Sequence, residues 1–196
     1  MKHIAVIGAS LAGLSAVRAL RAQGFSGRIT VIGDESRRPY DRPPLSKDFL
    51  AGVVAEQDLS LEDSEELAAE WLLGSAATAL DTTTNTVELA DGRRVHADGF
   101  VIATGSRARR WPGCEQMAGV HVIRTVDDAI ALRAELRPGG QMVVIGAGFI
   151  GAEVASTARK LGMDVTVVEA APTPLQVQLG ARPVSYTHLR AHETLR

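Results

Sequence analysis

Three observations predict an α/β fold with two strand–turn–helix–strand units on parallel sheets. First, residues 4–7 and 141–145 are short, mostly apolar runs, as is typical of parallel strands that are buried on both faces. Second, each run is followed by a glycine-rich turn and a stretch of good helix formers. Third, a further apolar run follows each helix and ends in an acidic residue. Because the second unit ends after its second strand, we predict that its domain is truncated.

The first glycine-rich turn leads into a helix predicted over residues 9–21. Its pattern, G-x-S-x-x-G at Gly8, Ser10 and Gly13, is one residue away from the dinucleotide-binding fingerprint. Gly8 permits a tight turn, the small middle residue lets the backbone approach a pyrophosphate, and Gly13 lets the helix pack closely on the sheet. Free N–H groups at the start of the helix favour bound phosphate. The alternative for this segment is an ordinary βαβ unit without a ligand.

An acidic residue at the end of the next strand supports the dinucleotide interpretation. Residues 28–32 form an apolar run, and Glu35 follows shortly after it. An acid in this place accepts hydrogen bonds from the ribose of a dinucleotide, usually about 20 residues after the glycines. The loop at residues 24–27 makes the spacing somewhat longer here.

The second unit carries the complete fingerprint G-x-G-x-x-G, at Gly146, Gly148 and Gly151. A strand is predicted over residues 164–169, with Glu169 at its end. Both units are therefore predicted to be Rossmann-like. Two dinucleotide sites in one chain indicate two nucleotides, one held as a prosthetic group and one exchanging as a substrate.

Composition limits the function classes. The chain has 196 residues, enough for one large domain or two small ones, with 45% hydrophobic and 4% aromatic residues. A net charge of −2 gives no indication of binding to nucleic acid or to an anionic membrane. No apolar run approaches the ~20 residues of a membrane span, and no signal peptide is visible, so we expect a cytoplasmic protein. The single cysteine, Cys114, excludes a disulfide or a redox dithiol within the chain.

The segment between the two units contains further predicted elements. A strand over residues 100–104 is expected to return to the sheet that begins at Ile4. A solvated helix is predicted around residues 59–70, and a short strand over residues 120–123. Thr125 and Asp128 have the spacing of a capping box at the start of another helix. We place the domain boundary in the linker that contains Pro112 and Gly113, so that the first domain comprises residues 1–110 and the second residues 111–181.

The last residues differ in character from the rest of the chain. Residues 182–196 do not continue the α/β alternation, and we interpret them as a non-native tail. His188 and His192 within it are four residues apart. They do not follow the H-E-x-x-H order and have no third ligand beside them, so no metal site is predicted.

Six motifs that occur in one order carry a resemblance to a known family. They are V-I-G-A-S-L-A-G at residues 6–13, R-P-P-L-S-K at 42–47, A-T-G at 103–105, R-T-V-D-D at 124–128, G-A-G-F-I-G-A-E at 146–153 and V-V-E at 167–169. With them the chain resembles the FAD-dependent pyridine nucleotide-disulphide oxidoreductase superfamily, in particular the NADH-dependent ferredoxin, rubredoxin and putidaredoxin reductases of oxygenase systems. R-P-P-L-S-K is shared mainly with that branch and with apoptosis-inducing factor.

The resemblance implies that the first domain binds FAD and that the second, incomplete domain binds NADH. The implied FAD contacts are Gly8, Ser10 and Gly13 at the pyrophosphate, Glu35 at the ribose, Ala77 at the adenine, and Arg42, Lys47, Thr104, Gly105 and Arg124 along the cofactor. The implied NADH contacts are Gly146, Gly148 and Gly151, with Glu169 at the ribose. Lys47 and Glu153 are the implied catalytic residues, near the place where flavin and nicotinamide meet.

The activity implied by the resemblance is electron transfer from NADH through FAD to a ferredoxin- or rubredoxin-type iron–sulfur protein. No cysteine pair stands in residues 42–47 or before Gly146, which separates the chain from reductases that use a redox disulfide. The alternative is a non-catalytic FAD- and NADH-binding redox-sensing module that resembles apoptosis-inducing factor. Since the later segments of the family are absent after residue 181, we expect the chain to be an N-terminal fragment that is inactive alone.

Overall fold

The computed structural model describes residues 1–61, 67–114 and 117–180. These residues form two compact units, the first from residues 1–41 and 57–107, the second from residues 42–56 and the described chain after residue 107. The sequence interpretation placed residues 42–56 in the first domain. In the structure they belong to the second unit, which local sequence patterns do not reveal because the packing partners are distant along the chain.

The first unit contains a four-stranded parallel sheet with the strand order β3-β2-β1-β7. The elements of this unit are β1 (His3–Ile7), α1 (Leu11–Ala22), β2 (Arg28–Ile32), β3 (Glu70–Leu72), β4 (Ala77–Asp81), β5 (Thr86–Leu89), β6 (Arg94–His96) and β7 (Gly99–Ile102). The strand β7 belongs to this sheet, as predicted, and the structure pairs it with β1, where Val6 lies opposite Val101.

Both faces of this sheet are covered, which explains the continuous apolar runs in its central strands. On one face, Val6 and Val31 pack with Val17 of α1. On the other face, Ile7 and Ile32 pack with Val87 of β5 and its neighbours in the antiparallel sheet β4-β5-β6. Successive side chains of a strand point to opposite faces, so β1 and β2 need an apolar residue at nearly every position.

The second unit contains a parallel pair of strands and the helices around it. Its elements are α2 (Val126–Glu135), β8 (Gln141–Ile145), α3 (Phe149–Lys160), β9 (Asp164–Val168) and α4 (Gln176–Leu179). The capping box of α2 is present as predicted, with Thr125 and Asp128 each accepting a backbone N–H. Leu50, Leu132 and Val154 form the buried centre of this unit.

One face of the β8-β9 pair is exposed among the described residues. Met142 and Val144 pack toward the buried cluster, whereas Val143 and Ile145 point away from it and are 63% and 64% exposed. In the first unit every side chain from Ile4 to Ile7 is buried. The equivalent strands of the two units therefore share their backbone pairing and differ in how they are covered.

Two predicted elements differ from the structure. Of the helix predicted around residues 59–70, residues 62–66 lie outside the described residues; next to them, residues 67–69 are not helical, a 3₁₀ helix spans Glu56–Leu59 and β3 begins at Glu70. Arg28 of β2 donates to the Glu70 carboxylate at 2.6 Å, and this cross-strand pairing is not visible in the local charge pattern. The strand predicted over residues 120–123 does not form, since an apolar run becomes a strand only where a neighbouring strand pairs with it.

No helix within the described ranges is long and apolar enough to cross a membrane. Across the same ranges, no three His, Cys, Asp or Glu side chains gather closely enough to hold a metal ion. His188 and His192, together with the whole predicted tail at residues 182–196, lie outside the residues that the structure describes.

Candidate functional site

The first glycine turn connects β1 to α1 and leaves no room for side chains. Gly8 has a φ of +122°, and its N–H donates to the carbonyl of Ile32 at 2.8 Å. A Cβ on Gly8 would lie 2.0 Å from the carbonyl oxygen of Ala103, and a Cβ on Gly13 would lie 1.9 Å from that of Gly8. Glycine is required at both positions because backbone atoms occupy the space that a side chain would need.

The second glycine turn, between β8 and α3, shares the positive φ, the hydrogen bond to the next strand and the close approach at its last glycine, although a Cβ on Gly146 would meet no atom within 4 Å. Gly146 has a φ of +99°, and its N–H donates to the carbonyl of Val168 at 2.8 Å. A Cβ on Gly151 would lie 2.0 Å from the carbonyl oxygen of Gly146, which matches the relation between Gly13 and Gly8. The internal repeat seen in the sequence is thus a repeat of backbone geometry.

The helices that follow these turns start without a side-chain cap. Ser10 and Gly148 are the N-cap residues of α1 and α3, and neither supplies a capping side-chain hydrogen bond. In α2, by contrast, the hydroxyl of Thr125 accepts the N–H of Asp128 at 3.2 Å. The first N–H groups of a helix need an acceptor, and a phosphate group can be that acceptor. A glycine cradle followed by a helix start without a side-chain cap is what a pyrophosphate requires, so the residues of both turns fit a dinucleotide.

Glu169 lies directly beside the second glycine turn. Its carboxylate accepts the N–H of Ala147 at 2.6 Å and that of Ala171 at 2.9 Å. The backbone N–H groups of Ala171 and Ala147 lower the pKa of Glu169 below its ordinary value. An ionised carboxylate therefore stands at the end of β9, as the sequence pattern predicted.

Glu35 follows β2 in the first unit, three residues after the last strand residue Ile32. Its carboxylate accepts a hydrogen bond from the hydroxyl of Tyr40, and its carbonyl accepts the N–H of Gly74 at 3.0 Å. Tyr40 is buried and was not among the predicted site residues, although it stands within the proline-rich stretch. In the sequence, only the short separation of five residues between Glu35 and Tyr40 could have indicated this hydrogen bond.

The other predicted residues of the first unit lie at separate places on it. Thr104 and Gly105 follow β7, and the nitrogen of Thr104 would be 3.0 Å from a Cβ on Gly8. These two residues therefore line the same end of the sheet as the first glycine turn. Ala77 is the first residue of β4 in the antiparallel sheet.

Lys47 and Glu153 form an ion pair within the second unit. The Nζ atom of Lys47 lies 2.8 Å from Oε2 of Glu153. The same carboxylate oxygen accepts the hydroxyl of Ser46 at 2.5 Å. Lys47 and, to a lesser degree, Ser46 lower the pKa of Glu153. The carboxylate is therefore ionised near neutral pH and is contacted by two residues of the R-P-P-L-S-K motif.

Arg42 and Arg124 are also brought together in the second unit. Arg42 donates from Nη1 to the carbonyl oxygen of Arg124 at 2.7 Å. The N–H of Arg124 in turn donates to the carboxylate of Asp128 at 3.0 Å, so the capping box of α2 holds this peptide in place. Residues predicted to contact FAD thus occur in both compact units, with the glycines and Glu35 in the first and the arginines and Lys47 in the second.

Curated proteins of similar sequence include ferredoxin reductase components. A ferredoxin–NAD(+) reductase subunit of a benzene 1,2-dioxygenase system from Pseudomonas putida is 46% identical over 185 residues, which are 92% of this chain and 45% of the relative. Rhodocoxin reductase from Rhodococcus erythropolis is 41% identical over 88% of this chain and 41% of its own length. The chain therefore spans somewhat less than half the length of these curated relatives.

The fold agrees with solved structures of the same class. The covalent putidaredoxin reductase–putidaredoxin complex matches with a TM-score of 0.90 and 35% identity, over 98% of this chain and 48% of that one. A ferredoxin reductase from Rhodopseudomonas palustris matches with a TM-score of 0.89 and 33% identity, over the same shares. The family model described as pyridine nucleotide-disulphide oxidoreductase covers residues 2–193, which includes part of the predicted tail. The chain belongs to the pyridine nucleotide-disulphide oxidoreductase family.

Proposed function

We propose that the protein is a flavin-dependent oxidoreductase that passes electrons from NADH through FAD to a ferredoxin- or rubredoxin-type iron–sulfur protein. The observation that carries this proposal is the pair of equivalent glycine turns in one chain, each followed by a helix start without a side-chain cap and an acid-terminated strand. Relatives that are named ferredoxin–NAD(+) reductase components support the choice of acceptor. The net charge of −2 gives no reason to add nucleic acid or membrane as partners.

FAD is assigned to the first unit. Gly8 and Gly13 would let its pyrophosphate approach the start of α1 beside Ser10, and Glu35 would accept hydrogen bonds from its ribose. Thr104 and Gly105 lie at the same end of the sheet, and Ala77, Arg42 and Arg124 are proposed to contact other parts of the cofactor. When bound, FAD accepts two electrons as a hydride and releases them one at a time.

NADH is assigned to the second unit, with Gly146, Gly148 and Gly151 at its pyrophosphate. Lys47 and Glu153 are proposed to lie where the two nucleotides meet. Their role is to hold a fixed positive charge beside the reacting rings, because the ionised Glu153 keeps the Lys47 ammonium in one place. We also propose a cytoplasmic location, where a protein with the single cysteine Cys114 needs no disulfide.

The direct test is a chimeric protein in which residues 1–180 are joined to the remaining half of the benzene dioxygenase relative. We expect steady-state oxidation of NADH with a ferredoxin as acceptor. Reduction of a disulfide substrate instead would contradict the proposal. A tight NADH complex without turnover would favour the redox-sensing module that resembles apoptosis-inducing factor.

Nucleotide choice gives a first prediction. In the chimeric protein, Glu169→Ala should reduce the preference for NADH over NADPH by about tenfold, equivalent to about 1.4 kcal/mol. The reason is that the ionised carboxylate binds a ribose 2′-hydroxyl and repels a 2′-phosphate. The measurement is kcat/KM for each nucleotide. Asp164→Ala, at the exposed start of the same strand, is the matched control and should leave the preference unchanged.

Flavin retention gives a second prediction. The 196-residue polypeptide alone should retain little FAD after gel filtration. The relatives are about twice as long, and contacts made by their other half are not available to this polypeptide. The measurement is the absorbance of flavin relative to protein in the eluted peak, with the chimeric protein as the positive control. Stoichiometric yellow protein that NADH bleaches would contradict the expectation.

A further inference from the structure

Ser46 occupies an unusual position beside the Lys47–Glu153 pair. It ends the 3₁₀ helix Pro43–Ser46, is only 5% exposed, and donates its hydroxyl to Oε2 of Glu153 at 2.5 Å. Lys47 reaches the same oxygen at 2.8 Å, but its side chain is 44% exposed and also donates to the carbonyl of Pro43. Two donors of very different exposure therefore converge on one carboxylate oxygen.

A second contact ties Ser46 to the same helix. The buried hydroxyl of Thr157 donates to the carbonyl oxygen of Ser46 at 2.8 Å. Glu153 and Thr157 are four residues apart on α3 and so lie on one face of the helix. Ser46 thus contacts this face through its side chain and through its backbone, which fixes the serine relative to α3.

The difference in burial between Ser46 and Lys47 determines which of them can orient the carboxylate of Glu153. An exposed lysine must lose the freedom of a long side chain to hold one geometry, and such exposed ion pairs are weak. A buried serine has one side-chain torsion before its hydroxyl and loses little freedom. The hydroxyl of Ser46 is therefore better suited than Lys47 to orient the carboxylate of Glu153. The ammonium of Lys47 then binds to the carboxylate in that orientation.

We propose that Ser46 is a positioning residue that orients the carboxylate of Glu153 toward Lys47. The effect of Ser46 on the reaction with NADH rests on the proposed function. The hydrogen bond between Ser46 and Glu153 does not, because it is present in the chain itself. Ser46 acts through Glu153, whose carboxylate contacts the hydroxyl of Ser46 and the ammonium of Lys47.

The first experiment measures the ionisation of Glu153 in the present chain without added nucleotide. Carboxyl carbons of ¹³C-labelled glutamate are followed by NMR as the pH is changed, with Glu153→Gln identifying the signal. Ser46→Ala should raise the titration midpoint of Glu153 because a donor to the ionised form is lost, and Ser46→Thr should restore it. Ser156→Ala, the same chemical change at an exposed position of α3, is the control. Equal midpoints in Ser46→Ala and Ser156→Ala would overturn the proposal.

The second experiment measures flavin reduction by NADH in the chimeric protein. Ser46→Ala should lower the rate constant about tenfold with little change in NADH affinity, and the acid limb of its pH profile should move to higher pH. A changed titration midpoint with an unchanged rate and profile would overturn the positioning role. If the unsubstituted chimeric protein does not oxidise NADH, the proposed function fails, and the NMR titration still decides whether Ser46 orients Glu153.

Discussion

Gly8→Ala is expected to reduce the free energy of unfolding of the first unit by about 3 kcal/mol, combining backbone strain and overpacking. Gly8 has a φ of +122°, which disfavours any residue with a Cβ, and the new Cβ would lie 2.0 Å from the carbonyl oxygen of Ala103. Neither β1 nor β7 can move away without breaking the hydrogen bond between Ala103 and Ile7. The overlap between the new Cβ and Ala103 can therefore be relieved only by losing hydrogen bonding between β1 and the end of β7.

Tryptophan fluorescence during urea unfolding measures this loss. Trp71 lies in β3 of the first unit, and Trp111→Phe removes the only other tryptophan, so the signal reports on this unit. Gly92→Ala is the matched control, because Gly92 has a φ of +85° with no atom within 4 Å of the added Cβ. Strain alone should cost this control about 1 kcal/mol. Equal decreases in the free energy of unfolding of Gly8→Ala and Gly92→Ala would show that the close approach of Ala103 to Gly8 does not contribute to the loss of stability.

Lys47→Met in the chimeric protein is expected to slow flavin reduction by NADH about 100-fold, as removal of a positioned electrostatic contact commonly does. Methionine keeps the length of the side chain and loses the charge that Glu153 holds at 2.8 Å. Stopped-flow absorbance of the flavin gives the rate constant directly. The control is Lys160→Met, at the exposed end of α3, which should leave the rate unchanged. A rate within twofold of the unsubstituted protein would exclude Lys47 from the reaction.

The glycine turns and the parallel strands were predictable because their causes are local. The apolar runs at residues 4–7 and 28–32 reflect burial on both faces, and the structure places them side by side in a parallel sheet. A Cβ on Gly13 would meet the carbonyl oxygen of Gly8, five residues earlier, so the contact that requires Gly13 forms within a single turn. The capping box at Thr125 and Asp128 is equally local and is present.

The contacts that organise the candidate site depended on tertiary structure. Ser46 and Glu153 are 107 residues apart, and nothing in the residues around either of them specifies the other. Tyr40 is close to Glu35 in sequence, but a tyrosine in a proline-rich stretch has many possible partners. The membership of residues 42–56 in the second unit has the same cause. By itself the sequence determined the family, the two glycine turns and the strands on either side of each following helix, because periodicity and steric limits act between neighbours. Only the tertiary structure decided that Ser46 and Lys47 meet one oxygen of Glu153, because that depends on how distant segments pack.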